Sequence, residues 1–361
     1  MQKVFFRTDA SIQIGSGHVM RCLTLADYLN ENGFKCEFIC REHKGNLIDY
    51  IKIKGFKVSV LPNISKSSDI NLDYSSWLGE SQDNDAKQCI KILGDSMPSW
   101  LIVDHYGIDY NWEKTIKKAC QKLFCIDDLA DKAHYCDGLL DQTFGRSQND
   151  YKTLVPKGCD IFTGSDFALL RPEFLNFRKL SILRRSDGLL KKILINLGGV
   201  DKDNNTLLIL ETLEQIDGLN HINFSVVLGS SAPNVLSVSN ACKGHRYNID
   251  LLIGVENIAE VMTDSDLAIG AAGATSWERC CLGLPTILLT LAENQKYISA
   301  VLSKQKIVLN ISSIESIKSE LPIYIKKCVA NKNLLVNMTK SSIDLVDGMG
   351  AERVSSYLKN K

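Results

Sequence analysis

The sequence has no CxxC pair, no surplus of either charge, no GK[ST] tripeptide and no apolar run of membrane length. Each absence closes off a class of function. Twelve cysteines are scattered through 361 residues, and none joins a Cys/His cluster of zinc-finger spacing. Cys36 and Cys40 in CEFIC and Cys125 in LFCID sit inside apolar runs, so they read as small buried hydrophobes in a reducing compartment. Lys plus Arg and Asp plus Glu are both 42, which argues against sequence-independent nucleic-acid binding, because that needs excess cation to displace counterions. A small anion remains a possible ligand, since a few backbone N–H groups can hold a diphosphate without net positive charge. Stretches such as LPTILLTLA at 284–292 fall short of the ~20 apolar residues a spanning helix needs. MQKVFFRTDA enters a strand with no apolar leader, so a cytoplasmic protein without membrane partners is expected.

What is present is alternation. KVFFR at 3–7, CEFIC at 36–40, FKVSVL at 56–61, SWLIVD ending at 104 and KLFCIDD at 122–128 read as strands. Helical patterns at 18–31, 85–94 and 110–121 lie between them, and a polar stretch follows residue 61. Strands that are unbroken apolar runs, separated by helices, describe a parallel sheet covered on both faces. Residues 172–190 carry a basic cluster without periodicity and read as a linker. The pattern then restarts with strands at 191–199, 222–229, 266–271, 285–290 and 306–310, and a helix at 257–263. The expected organisation is therefore α/β: a first domain at 1–171, a linker at 172–190 and a second domain at 191–361. Two doubly wound domains facing a cleft bind ligands beyond the carboxyl ends of their strands.

The loops at those ends carry the polar residues. TDASIQIGSGH joins the first strand to the first helix, with Gly15 and Gly17 just before His18. Met20 stands where a dinucleotide fingerprint needs its third glycine, and a lone GxG suits a structural turn as well as a ligand site. A histidine at a helix N-terminus is held neutral by the dipole and can accept a proton; it can equally be a helix-end residue bonded to a carbonyl. Asp104-His105-Tyr106-Gly107 follows the fourth strand abruptly, as a cleft-facing turn or as a structural hydrogen-bonding pair. Asp127 and Asp128 follow the next strand without a further carboxylate nearby, a thin basis for a metal site. In the second half, NLGGVD at 196–201 and GAAGATSWE at 270–278 each follow a strand and open a helix. The second suits an anion at its small residues, with Thr275 and Ser276 in the first helical turn and Glu278 in reach of a ribose diol; a capped helix is the plainer alternative. Glu293-Asn294-Gln295 opens another helix and could serve only as its cap.

FRTDASIQIGSGHVMRCLTLA, IVDHYG, NLGGVD, VENIAEVM, GATSWE and LAENQ occur together and in order across most of the chain. The set resembles the UDP-2,4-diacetamido-2,4,6-trideoxy-β-L-altropyranose hydrolase family of pseudaminic acid biosynthesis. It is similar, more remotely, to the MurG-type N-acetylglucosaminyltransferases. The QIGSGH loop, with RCLTLA after it, and the DHYG turn are the specific signals. The resemblance implies the GT-B fold, two Rossmann-like doubly wound domains, and a monomer acting on a small UDP-sugar without cofactor or metal. It matches His18 to the family's catalytic histidine, Tyr106 to a tyrosine lining the reaction centre, and Asn294 to an asparagine that reaches the sugar. The MurG-like segments imply that the Val255 backbone meets uracil, Gly273 through Thr275 hold the diphosphate, and Glu278 binds the ribose. GATSWE is one residue shorter than the MurG-type turn. The tail 310–361 receives no chemistry, and its final helix is expected to pack back on the first domain. Because GT-B scaffolds host both reactions, a glycosyltransferase with a separate acceptor remains a rival, and a non-catalytic UDP-sugar binding protein a second.

Overall fold

A computed structural model describes residues 2–63 and 74–361, so most of the polar stretch after the third strand lies outside the described residues. The chain divides into two compact units, Met1–Leu169 joined by Met349–Lys361, and Leu170–Gly348.

The first unit holds a seven-stranded sheet: β1 (Lys3–Thr8), β2 (Lys35–Arg41), β3 (Lys57–Leu61), β4 (Trp100–Asp104), β5 (Lys122–Ile126), β6 (Gly138–Asp141) and β7 (Asp160–Thr163). Their order is β3-β2-β1-β4-β5-β6-β7, and every pairing is parallel. Helices cover both faces, which is why β4 is buried along its whole length and reads as an apolar run. On one face Phe6 and Phe38, opposite each other in register, stack with ring centroids 4.9 Å apart. Burying such a side chain contributes roughly 1.5–3 kcal/mol. The helix Gly17–Glu31 packs on the same face through Val19, Cys22, Leu23, Ala26 and Leu29, an i, i+3, i+4 stripe. It stops at Gly33, whose φ of 87° lets the Phe34 N–H turn back to the Leu29 carbonyl.

The second unit has a six-stranded parallel sheet: β8 (Lys192–Asn196), β9 (Asn223–Leu228), β10 (Ile249–Ile253), β11 (Leu267–Ala271), β12 (Thr286–Leu289) and β13 (Val308–Ile311). Its order is β10-β9-β8-β11-β12-β13. In each sheet the strand order reverses at one place, between β1 and β4 and between β8 and β11, and the crevice there is the usual ligand position.

Two expected boundaries differ from the structure. Residues 172–190 are no linker: Pro172–Arg184 is a helix of the second unit. From it Arg178 donates to the carbonyls of Cys281 at 2.5 Å, Val346 at 2.7 Å and Ile343 at 2.7 Å, while Lys179 and Arg184 are exposed. The second unit also ends at Gly348 rather than Lys361, because the helix Gly350–Asn360 belongs to the first. Ala351, Val354 and Leu358 join the core that contains Ala26 and Leu29, and Trp100 Nε1 donates to the Leu358 carbonyl at 3.0 Å. A Cβ at Gly350 would lie 2.3 Å from the Ala168 carbonyl oxygen, so only glycine allows this approach. The strands β6, β7 and β10 add to the expected set; GLLD and DIFT are four-residue segments with few apolar positions.

Candidate active site

The β1 loop is built by its own backbone. Ser11 Oγ accepts from the N–H groups of Gln13 at 3.1 Å and Ile14 at 2.9 Å, and Gly15 N–H closes back on the Ser11 carbonyl at 2.8 Å. Gly15 has φ 80°, so the turn itself demands glycine there. At Gly17, the first helical residue, a Cβ would meet nothing within 4 Å among the described residues, and φ is ordinary. The loop delivers His18 into the first helical turn, beside the carboxyl end of β4.

There His18 meets a carboxylate rather than a carbonyl. Its Nδ1 lies 2.5 Å from Asp104 Oδ1. Arg21, one turn further along the helix, grips the same carboxylate from Nε at 2.6 Å to Oδ2 and from Nη2 at 2.7 Å to Oδ1. Its remaining nitrogen, Nη1, donates to both oxygens of Asp128 at 3.0 and 2.7 Å. Burial opposes ionisation of Asp104, but Arg21 and then His18 outweigh it and hold the carboxyl far below the usual range. With Oδ1 and Oδ2 both engaged by Arg21, Asp104 offers only acceptors. The Nδ1 position of His18 therefore carries the proton, which leaves Nε2 as the basic nitrogen.

Tyr106 packs edge-to-face on His18, with ring centroids 4.6 Å apart. Trp77 stacks on Tyr106 with centroids 5.8 Å apart, and Tyr74 meets it at 5.3 Å. The Tyr106 hydroxyl donates to Asp128 Oδ2 at 2.8 Å. Burial of that hydroxyl and the neighbouring Asp128 push the phenol well above its ordinary range, so it stays protonated. The other polar residue of this turn, His105, belongs elsewhere. Gly107 N–H donates to its Nδ1 at 2.9 Å, and its Nε2 lies 3.4 Å from Asp9.

Asp127 and Asp128 do not converge on a common point. Asp127 accepts from Ala130 N–H and from the Tyr151 hydroxyl, both at 2.9 Å, whereas Asp128 faces Arg21 and Tyr106. Among the described residues, Glu113, Cys125 and His134 bring metal-ligating atoms within 4.8 Å of one another. They already satisfy each other: His134 Nδ1 lies 2.7 Å from Glu113, Cys125 Sγ donates to Glu113 at 3.2 Å, and the Tyr135 N–H bonds the second oxygen. The second imidazole nitrogen faces Asp127 at 3.7 Å. Burial disfavours the imidazolium, but Asp127 and Glu113 outweigh it and raise His134 to about 10. This trio is an ion cluster in the core.

The residues expected to hold a nucleotide all lie in the second unit, after the carboxyl ends of its strands. Val255 follows β10, Gly273 and Ala274 follow β11 and lead into the helix Thr275–Cys281, and Asn294 follows β12 in the turn Glu293–Gln295. Gly273, like Gly17, has open space where a Cβ would be. Gly270, by contrast, is demanded by packing, since a Cβ would lie 2.4 Å from Arg279 Nη1. Glu278 faces Arg171 at 3.4 Å, and burial raises its carboxyl above the ordinary range despite that partner. Sequence reasoning named His18 and Tyr106, gave Asp104 a cleft-facing turn or a structural hydrogen-bonding pair and Asp128 a thin basis for a metal site, and assigned nothing to Arg21. Arg21 stands three residues after His18 on one helix face, a signal that was available.

Two parallel α/β units with their polar residues at the strand ends define a GT-B-type protein. The fold matches MurG from Acinetobacter baumannii with a TM-score of 0.67 at 14% identity, over all of both chains. It also matches the UDP-GlcNAc 2-epimerase of Neisseria meningitidis, solved with UDP-GlcNAc, with a TM-score of 0.62 at 13% identity, over 99% of each chain. Residues 204–354 match the glycosyltransferase family 28 C-terminal domain. In sequence, the chain is 31% identical over 304 residues to the UDP-2,4-diacetamido-2,4,6-trideoxy-beta-L-altropyranose hydrolase of Campylobacter jejuni, covering 84% of this chain and 97% of that one. It is 25% identical to the Bacillus subtilis spore coat polysaccharide biosynthesis protein SpsG, over 98% of this chain and 96% of that one. The chain belongs to the family of that Campylobacter hydrolase.

Proposed function

We propose that this protein hydrolyses a UDP-linked diacetamido-trideoxy sugar to UDP and the free sugar, with His18 as general base on water. The observation that carries the assignment is the His18–Asp104 contact of 2.5 Å, which takes up Nδ1 and leaves Nε2 as the basic imidazole nitrogen. The charges around it favour the same step. Arg21 sits between two carboxylates, so a proton arriving on His18 brings the cluster of Asp104, Asp128, Arg21 and His18 to formal neutrality. In the second unit, Gly273 through Thr275 hold the diphosphate against backbone N–H groups, Val255 meets uracil, Glu278 binds the ribose and Asn294 reaches the sugar. The open space at Gly17 and Gly273 leaves room for close ligand approach. The diphosphate is already a good leaving group. What it needs is a positioned water and electrostatic stabilisation of the charge it carries away. Attack opposite the leaving group cleaves the C–O bond and inverts the anomeric carbon.

General-base assistance is worth about 10²–10⁴ in rate, so His18→Asn loses that much turnover while UDP affinity stays near wild type. Near-normal turnover in that variant removes His18 from the role. In ¹⁸O-water with EDTA present, the label enters the sugar; label in UDP refutes attack at carbon, and loss of activity refutes metal independence. A glycosyltransferase is the second reading, favoured by the family 28 match over residues 204–354. UDP release that depends strictly on an added sugar or lipid acceptor would establish it in place of hydrolysis.

A further inference from the structure

We propose that Asp128 is a positioning residue that fixes Tyr106 as a hydrogen-bond acceptor for the attacking water; the proposal rests on the hydrolase reading above. A nucleophilic water has two protons, and both must be held if a lone pair is to face the carbon. His18 accepts one of them. The second needs another acceptor, and an isolated phenol is ambiguous because its hydroxyl rotates between donating and accepting.

Asp128 removes the ambiguity. Both of its oxygens accept from Arg21 Nη1, at 3.0 and 2.7 Å, so the carboxylate has no proton to give to the phenol. The 2.8 Å bond to Tyr106 is therefore one in which the phenol donates. Its single proton is spent on Asp128, and what the oxygen still offers is lone pairs. The ring packs against both the imidazole of His18, with centroids 4.6 Å apart, and the indole of Trp77, with centroids 5.8 Å apart. One guanidinium thus sets two polarities: through Asp104 it leaves His18 an acceptor, and through Asp128 it leaves Tyr106 an acceptor. In the step itself, water loses one proton to His18 Nε2 as its oxygen bonds the anomeric carbon. The C–O bond to UDP breaks and its electron pair leaves with the diphosphate. The other water proton, held by Tyr106, stays on the new hydroxyl of the sugar.

The test uses polarity rather than deletion. In Asp128→Asn the amide oxygen can keep Arg21 while its NH₂ faces Tyr106, which turns the phenol into an acceptor of that bond and frees its proton toward the water. Turnover should fall about 10- to 100-fold, at least as far as in Tyr106→Phe, with KM and UDP affinity little changed. Because Asp128 acts through Tyr106, the double variant should match Tyr106→Phe within about twofold. Multiplying losses, or an Asp128→Asn enzyme within about twofold of wild type, overturns the proposal. A readout on the ligand-free protein separates the two levels of the argument. A slowly exchanging, downfield Tyr106 hydroxyl proton should appear in the NMR spectrum and vanish in Asp128→Asn. Its absence from the wild type sinks the Asp128 assignment whatever the reaction. If the proton is present but UDP is released only with an acceptor, the hydrolase reading alone fails.

Discussion

Two arginine–carboxylate clusters lie in the same unit and have opposite fates. Around Asp85, Arg7 donates at 3.1 and 2.7 Å, Arg41 at 2.6 Å and Trp112 Nε1 at 2.9 Å, while Arg7 also reaches Asp9 at 2.7 Å. The four charged side chains of Arg7, Arg41, Asp9 and Asp85 are fully inaccessible. Around Arg21, the carboxylates of Asp104 and Asp128 are held just as tightly, yet Asp128 keeps 13% of its side-chain surface and each carboxylate also holds a ring, His18 on Asp104 and Tyr106 on Asp128. The first cluster ties β1, β2 and the helix Gln82–Leu93 together. The second spends charge on holding two rings, His18 and Tyr106, against its carboxylates.

That contrast can be broken by experiment. The largest effect is expected from Asp85→Ala, which leaves two buried guanidinium groups without their shared partner. Unfolding free energy should drop by about 3–5 kcal/mol in denaturant titration, while turnover per folded molecule holds. A loss of turnover out of proportion to folded protein would show that this cluster also shapes the site.

His134 gives a second, pH-dependent contrast. Its folded pKa of about 10 lies above the unfolded value, so its stabilisation is complete below about pH 6.5 and fades as pH rises toward 10. Melting temperatures recorded from pH 6 to 10 should fall in the wild type, and His134→Gln, already weaker, should lack that component. A parallel slope in both proteins would exclude the imidazolium as the cause.

The smallest effect lies on the acid side. Burial resists ionisation of Asp85, but Arg7 and Arg41 prevail and lower it to about 2. Its contribution is present above about pH 4 and disappears as pH falls through 2, an effect of order 2 kcal/mol. Asp85→Asn should flatten that part of the acid unfolding curve; an unchanged curve would assign acid lability to other carboxylates.

Much of the fold was legible because parallel strands covered on both faces must be apolar throughout. KVFFR and SWLIVD announced β1 and β4 for that reason, and the polar DHYG after the latter announced a strand end. The short β6 and β7 were not legible, since GLLD and DIFT present no run long enough to distinguish from loop. The basic stretch at 172–190 misled because charge normally marks solvent; here Arg178 caps carbonyls of the core instead. His18 was conspicuous beside its glycines, but Asp128 looked like half of an acidic pair.

From the chain alone came the α/β class, the two sheets, the strand-end loops and the family, because hydrophobic period and loop motifs are local properties. Tertiary structure alone decided which unit owns the last helix and which side chains meet. Arg21 is 83 residues from Asp104 and 107 from Asp128, and the bonds that join them are made only where β1, β4 and β5 lie side by side. An ion pair depends on distance in space, and spacing along the chain does not encode it at that range.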